Sequence, residues 1–274
     1  GRTWLTASTP SLTISGQHFG KPSIYLSGEG SLYNCLVQAQ KEISGHDYHV
    51  AVNFKTQEGK LLTQVGWSDT DSKAYSGKFE SETEFIRGGQ KIGFHMNIHP
   101  TEFALDHMPW NISSGQLSYI NHQLAINSVS ISSQDQALSV SGKVGAGRND
   151  SIVARLKNVD INYILDLINF DAVAFGGNAT GTASFTQEGN HPQVHAHLNV
   201  PNFTFNNGPM GRANISANWN KADNRINLNA SMHLPRTVDD GTELQGYVSL
   251  AEKGLDLHIN THHTDLRFLR RYIN

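Results

Sequence analysis

Apolar and polar residues alternate one by one from Gln193 to Ile259, and this alternation constrains the fold more than any other feature. Successive side chains on a β-strand point to opposite faces, so each alternating segment predicts a strand with one apolar and one polar face. Six such segments follow one another, which is typical of half-buried antiparallel strands. The apolar positions are Val194, Ala196, Leu198 and Val200, then Phe203 and Phe205, then Ile215, Ala217 and Trp219, then Ile226, Leu228, Ala230 and Met232, then Val248 and Leu250, and finally Leu255, Leu257 and Ile259.

The first half of the chain shows the same alternation more loosely. Apolar residues alternate at Ile24 and Leu26, from Val50 to Phe54, and from Ile92 to Ile98. Turn-forming residues separate the segments at hairpin spacing. These turns are predicted at Gly28–Gly30, Glu58–Gly59, Gly88–Gly89 and Asn206–Pro209. We therefore predict an all-β protein built as one long antiparallel meander.

The polar face is neutral rather than ionic. Charged residues make up 16% of the 274 residues, against about 25% in a typical soluble domain. The net charge of −3 provides no attraction for phosphate backbones, so we expect no nucleic-acid partner. The single cysteine, Cys35, excludes an internal disulfide and is expected to be a small buried hydrophobic residue.

One segment departs from the two-residue period. Apolar residues at helical spacing follow Asp160, a suitable N-cap, and predict a short helix at 160–169. A similar segment begins at Asp265, 105 residues later, and indicates a large repeat. We predict an N-terminal β-repeat segment at 1–158, a second β-repeat unit at 159–274, and the start of a third unit at 264–274.

Several short motifs stand out after about residue 90. They are Val159–Asp166, Phe175–Gly181, Phe203–Asn206 with Gly208 and Gly211, Gly246–Ser249 followed by Leu255–Leu257, and, further upstream, Glu102–Leu105 with Trp110–Ile112. Together these motifs resemble the TamB family of the AsmA-like group. They specify turns, helix starts and strand faces, and none of them corresponds to a catalytic residue.

The resemblance implies a Gram-negative envelope protein that is anchored in the inner membrane and spans the periplasm. Its fold would be an elongated antiparallel sheet bent into a U-shaped trough, a β-taco, with an apolar interior and one or two short helices. Such proteins act with a TamA-type outer-membrane barrel protein in the translocation and assembly of outer-membrane proteins, and they are also viewed as bridges for phospholipid transport. We expect this chain to be a middle segment that lacks the anchor and the extreme C-terminal portion.

From the residues alone, two packings of such strands are open. The sheet either closes into a sandwich or stays open as a trough, which requires apolar cargo because exposed Leu, Ile, Val and Phe side chains are costly in water. The cargo would be an acyl chain or an unfolded strand, and an unfolded strand could also pair with a sheet edge. The resemblance implies that these are phospholipid acyl chains or nascent outer-membrane protein strands. The candidate groove residues are Val194, Leu198, Phe203, Phe205, Ile215, Trp219, Ile226, Leu228, Met232, Val248, Leu255, Leu257 and Ile259.

The sequence offers no pattern typical of an enzyme. It contains no nucleophile elbow and no glycine-rich phosphate loop, so we expect no catalytic residues and no cofactor. The pairs His195 with His197 and His262 with His263 lack further ligands at zinc spacing, so we expect no metal site. The alternative function is a closed β-sandwich module of a surface adhesin or glycan-binding protein. Aromatic residues lining a polar cleft would favour that alternative, whereas Phe203, Phe205 and Trp219 accompany the aliphatic residues.

Overall fold

The computed structural model is almost entirely β-structure, which confirms the all-β antiparallel prediction. Its contacts divide the chain into two compact units, unit 1 at Gly1–Ser133 and unit 2 at Gln134–Asn274. The predicted repeat boundary at 158/159 falls within a strand of unit 2, and as a statement about repeats it stays a prediction. The structure describes residues 1–14, 17–43, 46–70, 74–88, 91–105, 107–145, 147, 150–163, 174–188, 191–220, 223, 225–233, 241–249 and 254–261.

Unit 1 contains twelve strands among its described residues. Neighbouring strands pair as successive hairpins from β3 to β8, and β1 and β2 both pair with β3. β8 and β9 together behave as one interrupted strand, and so do β10 and β11. These two interrupted strands pair with each other, β9 with β10 and β8 with β11. The strands are β1 (Arg2–Ser8), β2 (Ser11–Ile14), β3 (Gln17–Glu29), β4 (Leu32–Ile43), β5 (His46–Gln57), β6 (Lys60–Asp69), β7 (Ser76–Gly88), β8 (Lys91–Ile98), β9 (Thr101–Leu105), β10 (Met108–Ile112), β11 (Gly115–Ile120) and β12 (Gln123–Ser133).

The hairpin registers give unit 1 one continuous apolar face. Residues directly opposite each other in an antiparallel pair lie on the same face, so a chain of paired residues traces a row across the sheet. One such row contains Ile24, Val37, Val52, Val65 and Phe79. All five side chains are only half-buried, so this face is not packed like the interior of a closed sandwich. Cys35 is also half-buried on this face, opposite Leu26 and Phe54.

A cluster of aromatic side chains at the end of this face packs over a glycine. Gly77 lies directly opposite both Trp67 and Phe103, whose ring centroids are 6.0 Å apart. Phe103 also stacks on Trp110, the most deeply buried aromatic residue of unit 1, at 6.3 Å. A Cβ atom on Gly77 would lie 2.3 Å from the Cβ of Phe103 and 2.7 Å from the Trp67 ring. The absence of a side chain at position 77 therefore allows these rings to approach each other.

We expect Gly77→Ala to destabilise unit 1 by about 1–3 kcal/mol, because the added Cβ atom must displace both rings. Gly66→Ala is the matched control, since the nearest heavy atom to a Cβ there is 4.0 Å away. The control should stay within about 0.5 kcal/mol of the parent protein. Hydrogen exchange measured on peptides from β6, β7 and β9 would report both effects, and equal protection in the two variants would contradict this account.

Unit 2 contains nine strands among its described residues. β13 to β21 pair in chain order, apart from the two-residue β15, which pairs with the far end of β17 while β14 pairs with β16. The strands are β13 (Gln136–Val144), β14 (Ser151–Asp160), β15 (Phe175–Gly176), β16 (Asn178–Glu188), β17 (His191–Phe205), β18 (Gly208–Asn220), β19 (Arg225–His233), β20 (Gly241–Ser249) and β21 (Gly254–Thr261).

The predicted helix begins where the sequence indicates. Asp160 accepts a hydrogen bond through Oδ1 from the backbone N–H of Asn162 at 2.9 Å, as an N-cap does, and residues 161–163 are helical. Ile161 is buried in the core of unit 2. The rest of the predicted helix, 164–169, and the predicted third unit at 264–274 lie outside the described residues.

Two-residue turns join several hairpins at the predicted positions. Glu58 and Gly59 both have positive φ, as do Asn206 and Asn207. Positive φ at both central residues is the requirement of a type I′ turn, whose twist matches that of the flanking strands. The turns predicted at Glu58–Gly59 and Asn206–Pro209 are thus confirmed, whereas that at Gly88–Gly89 extends beyond the described residues.

Candidate functional site

A row of small residues crosses the apolar face of unit 2. It begins with four alanines on β14, β16, β17 and β18, each directly opposite the next, and continues onto β19, β20 and β21. We call it the alanine row, and it consists of Ala154, Ala183, Ala196, Ala217, Leu228, Gly246 and Leu257. Every member is half-buried. The row runs across the strands and therefore along the length of the unit 2 sheet.

On each side of the alanine row lies a row of mostly larger apolar side chains, interrupted by Gly181 and Ala230 on one side. The leucine row contains Leu138, Leu156, Gly181, Leu198, Ile215, Ala230, Leu244 and Ile259. The tryptophan row on the other side includes Ile152, Phe185, Val194, Trp219 and Ile226. On β20 and β21, the backbones of Val248 and Leu255 are paired at the next two positions of this row. The two rows are four residues apart along each strand, or about 13 Å. Large side chains thus border a floor of methyl groups, which is the shape of a shallow apolar groove.

Among the described residues, the apolar face of unit 2 is closed at the end beyond the leucine row. Beyond the leucine row lies a row that includes Val159, Ala179, Val200, Ala213 and Met232, all buried, and three of them have no exposed surface. This closed end also contains the buried side chains of Ile161, Phe203, Phe205 and Met210. Phe175 packs against Phe203 and Phe205, with ring centroids 5.7 and 5.5 Å away. Among the residues whose burial is described, burial therefore falls from the closed end towards the half-buried alanine and tryptophan rows.

A bulge in β17 places Phe203 and Phe205 at the closed end. Val200 is opposite Ala213 and Phe203 is opposite Gly211, so β17 has one residue more than β18 between these pairs. Because of an inserted residue, the side chains that follow it point to the opposite face of the sheet from the one that strict alternation would give. Phe203 and Phe205 therefore share a face with Val200 although their numbers are odd. Gly211 has positive φ at this irregularity, which suits glycine.

The structure brings the predicted groove residues together on one face. Leu198, Ile215 and Ile259 lie in the leucine row, and Leu228 and Leu257 lie in the alanine row. Val194, Trp219 and Ile226 lie in the tryptophan row, where Val248 and Leu255 hold the matching backbone register. Phe203, Phe205 and Met232 lie in the closed end. The prediction omitted Ile152, Ala154, Leu156, Ala183 and Phe185 of β14 and β16, although their alternation was visible in the sequence.

The middle of the polar face of unit 2 carries mostly neutral side chains, some of which bond to one another, while Arg155 and Arg212 lie on the same face further out. Asn199 donates a hydrogen bond to Asn214 at 2.8 Å, and His195 Nδ1 lies 3.0 Å from Asn218 Oδ1. Within the described ranges no group of three His, Cys, Asp or Glu side chains could hold a metal ion. The predicted histidine pair His262 and His263 lies outside those ranges.

Charge is concentrated on the polar face of unit 1. Glu80 accepts hydrogen bonds from Gln64 at 2.6 Å and from Lys78 at 3.3 Å, and these two donors hold the pKa of its carboxyl below the usual range. The Lys60 ammonium donates to Glu82 at 2.7 Å, which raises the pKa of Lys60. These pairs are partly exposed and contribute little to stability. Unit 1 thus combines an apolar face with an ionic one.

Comparisons with known proteins give no identification, because no family model, curated protein or solved structure matches the chain. Among the described residues, no helix has the length and apolar character needed to cross a membrane. The arguments for a function therefore come from the sequence and from the geometry of the two faces.

Proposed function

We propose that this chain is a segment of a periplasm-spanning, TamB-like envelope protein of a Gram-negative bacterium. Its apolar face carries cargo between the inner and outer membranes, either phospholipid acyl chains or the strands of nascent outer-membrane proteins. The parent protein is anchored in the inner membrane and works with a TamA-type outer-membrane barrel protein through other parts of its chain. The proposal requires no catalytic residue and no cofactor.

The alanine row is the observation that carries the proposal. Its four consecutive alanines form a floor that crosses β14, β16, β17 and β18, with larger apolar residues on both sides. Adjacent strands are about 4.8 Å apart, so the alanine floor is about 14 Å long. A hydrocarbon chain lying along it contacts methyl groups below and Leu, Val and Phe side chains at the sides. The groove offers no polar side chain to fix such a chain in place, which suits a cargo that slides.

Burial supports cargo on this face rather than a second layer of protein. The alanine row is only half-buried along its whole length, as is the apolar row of unit 1 that contains Val37, Val52 and Val65. Apolar surface is stabilised by about 25 cal/mol for each Å² removed from water, so a ligand that covers these rows gains free energy. The adhesin or glycan-binding sandwich is less well supported, because a closed sandwich would bury these rows between its two sheets.

Native mass spectrometry of the purified protein tests the proposal. We expect mass increments equal to those of phospholipids, which disappear after extraction with organic solvent and return when phospholipid is added. Loading should be prevented by a fatty acid in excess, because it would occupy the same groove. Protein that remains free of lipid after incubation with phospholipid vesicles would contradict the acyl-chain form of the proposal.

A further inference from the structure

The opposite, polar face of unit 2 contains a second groove that the proposed function does not use. The groove has a volume of about 530 Å³ and crosses the five strands β16 to β20, a span of about 19 Å. Two parallel rows of polar side chains border it. One row consists of Thr180, Asn199, Asn214, Ser231 and Glu243, and the other of His197, Ser216, Asn229 and Gln245.

The floor of this groove is backbone. Leu198, Ile215, Ala230 and Leu244 line it between the two polar rows, and they form the leucine row of the apolar face. Because side chains alternate between faces along a strand, these four residues offer backbone atoms to the polar groove. The polar groove and the apolar groove therefore lie on opposite sides of the same strands, and each can bind a ligand independently of the other.

The side chains that border the polar groove can form many more hydrogen bonds than they do. Asn199 bonds to Asn214 at 2.8 Å, and the hydroxyl of Ser216 donates to the carbonyl of Asn229 at 3.4 Å. Thr180 accepts from the backbone N–H of Asn158 at 2.9 Å. Within the part of the chain that the structure describes, the side chains of His197, Asn229, Ser231, Glu243 and Gln245 form no hydrogen bond. Side-chain hydrogen-bond donors and acceptors are therefore present along both sides of the polar groove.

The charge of the lining selects the class of ligand. Glu243 is the only carboxylate in the lining, and the lining has no Lys or Arg. A phosphate, sulfate or carboxylate ligand would find no Lys or Arg within the lining and would be repelled by Glu243, since the basic residues of this face, Arg155 and Arg212, lie outside the lining. A neutral ligand rich in hydroxyl and amide groups can pair with the Asn, Gln, Ser and Thr side chains without any charge. The lining is therefore complementary to carbohydrate.

We propose that the polar groove binds an extended, neutral polysaccharide strand that lies across the β-strands. Adjacent sugars of a β-1,4-linked chain are spaced about as far apart as adjacent strands of a sheet, so one sugar can meet one strand along the groove. Each sugar then meets two hydrogen-bonding side chains on each of β17, β18, β19 and β20, and one, Thr180, on β16. This inference goes beyond the proposed cargo function and does not depend on it.

Titrations with cellohexaose and chitohexaose, followed by two-dimensional NMR of the side-chain amide groups, test this inference. We expect shifts of Asn199, Asn214, Asn229 and Gln245. The double variant Asn214→Ala with Asn229→Ala should weaken binding at least about fivefold, the effect of losing a single hydrogen bond of about 1 kcal/mol. Both side chains are exposed, so the variant should fold normally. The matched control is Asn97→Ala with Asn127→Ala, two exposed asparagines of unit 1, and should bind like the parent protein.

Several results would overturn the inference. If neither oligosaccharide shifts the signals of the groove amides, the groove binds only water. The same conclusion follows if the double variant and the parent protein bind the oligosaccharides with equal affinity. Equal binding of polygalacturonate, an anionic polysaccharide, would contradict selection by charge. Binding of an extended peptide in place of the sugars would indicate a protein partner instead. Phospholipid loading should be the same in the double variant, so a failure of this inference is distinguishable from a failure of the proposed cargo function.

Discussion

Replacing Leu228 with aspartate should lower the fraction of lipid-loaded protein at least about tenfold while the protein stays folded. Leu228 continues the alanine row onto β19 and is half-buried, so a charge at this position remains hydrated in the empty protein. A hydrocarbon chain in the groove would remove that water, and burying an unpaired carboxylate costs several kcal/mol. A loss of 1.4 kcal/mol in binding already corresponds to a factor of ten. Native mass spectrometry of lipid-bound and lipid-free protein gives the ratio directly.

The neighbouring residue provides the control for this substitution. Asn229 is exposed on the polar face of the same strand, so Asn229→Asp adds the same charge without touching the apolar groove. It should leave lipid loading unchanged. Ala217→Phe, directly opposite Leu228, should also reduce loading because it fills the floor of the groove without adding charge. If Leu228→Asp and Asn229→Asp load lipid equally, the apolar face of unit 2 is not the cargo surface.

Met232→Ala should destabilise unit 2 by about 2–5 kcal/mol, the usual range for emptying a buried site of this size. Met232 is among the largest fully buried side chains and packs in the closed end with Val200 and Ala213. The surrounding side chains come from several strands and can collapse only partly into the space. Hydrogen exchange of peptides from β17 to β20 would measure the loss, since these strands open together with the core.

Leu228→Ala is the comparison on the same strand. Leu228 lies four residues before Met232 and on the same face, but it is half-exposed where Met232 is buried. Its truncation should cost about 1 kcal/mol, close to the average for single substitutions. The ratio of the two effects measures the burial gradient between the closed end and the alanine row. Equal losses would mean that both positions are covered to the same extent, as in a closed sandwich.

Much of this fold follows from alternation alone, because period-two patterns determine which residues share a face within one strand. The sequence predicts six alternating segments between Val194 and Ile259, and among the described residues they form the five strands β17 to β21, because the first two segments join in β17. Alternation within a strand does not give the register between strands, however. The alanine row exists only because Ala183, Ala196 and Ala217 are directly opposite one another. That alignment depends on turn lengths and bulges, which the pattern of one strand does not contain.

The closed end shows a second limit of the sequence. Leu198 and Val200 belong to the same alternating segment, yet Val200 is fully buried and Leu198 is only partly so. The difference comes from Phe203 and Phe205, which the β17 bulge turns onto the same face, and from Phe175 and Ile161, which pack there from other parts of the chain. Burial at a given position therefore depends on contacts that are distant in sequence.

A photo-crosslinking amino acid placed in turn at position 228 and at position 229 tests the central claim most directly. The two positions are adjacent on β19 but face opposite sides of the sheet. With phospholipid vesicles or outer-membrane protein as partner, we expect crosslinks to an acyl chain or to a client polypeptide from position 228 and none from position 229. Equal crosslinking from both positions, or crosslinking from position 229 alone, would contradict transport along the apolar face.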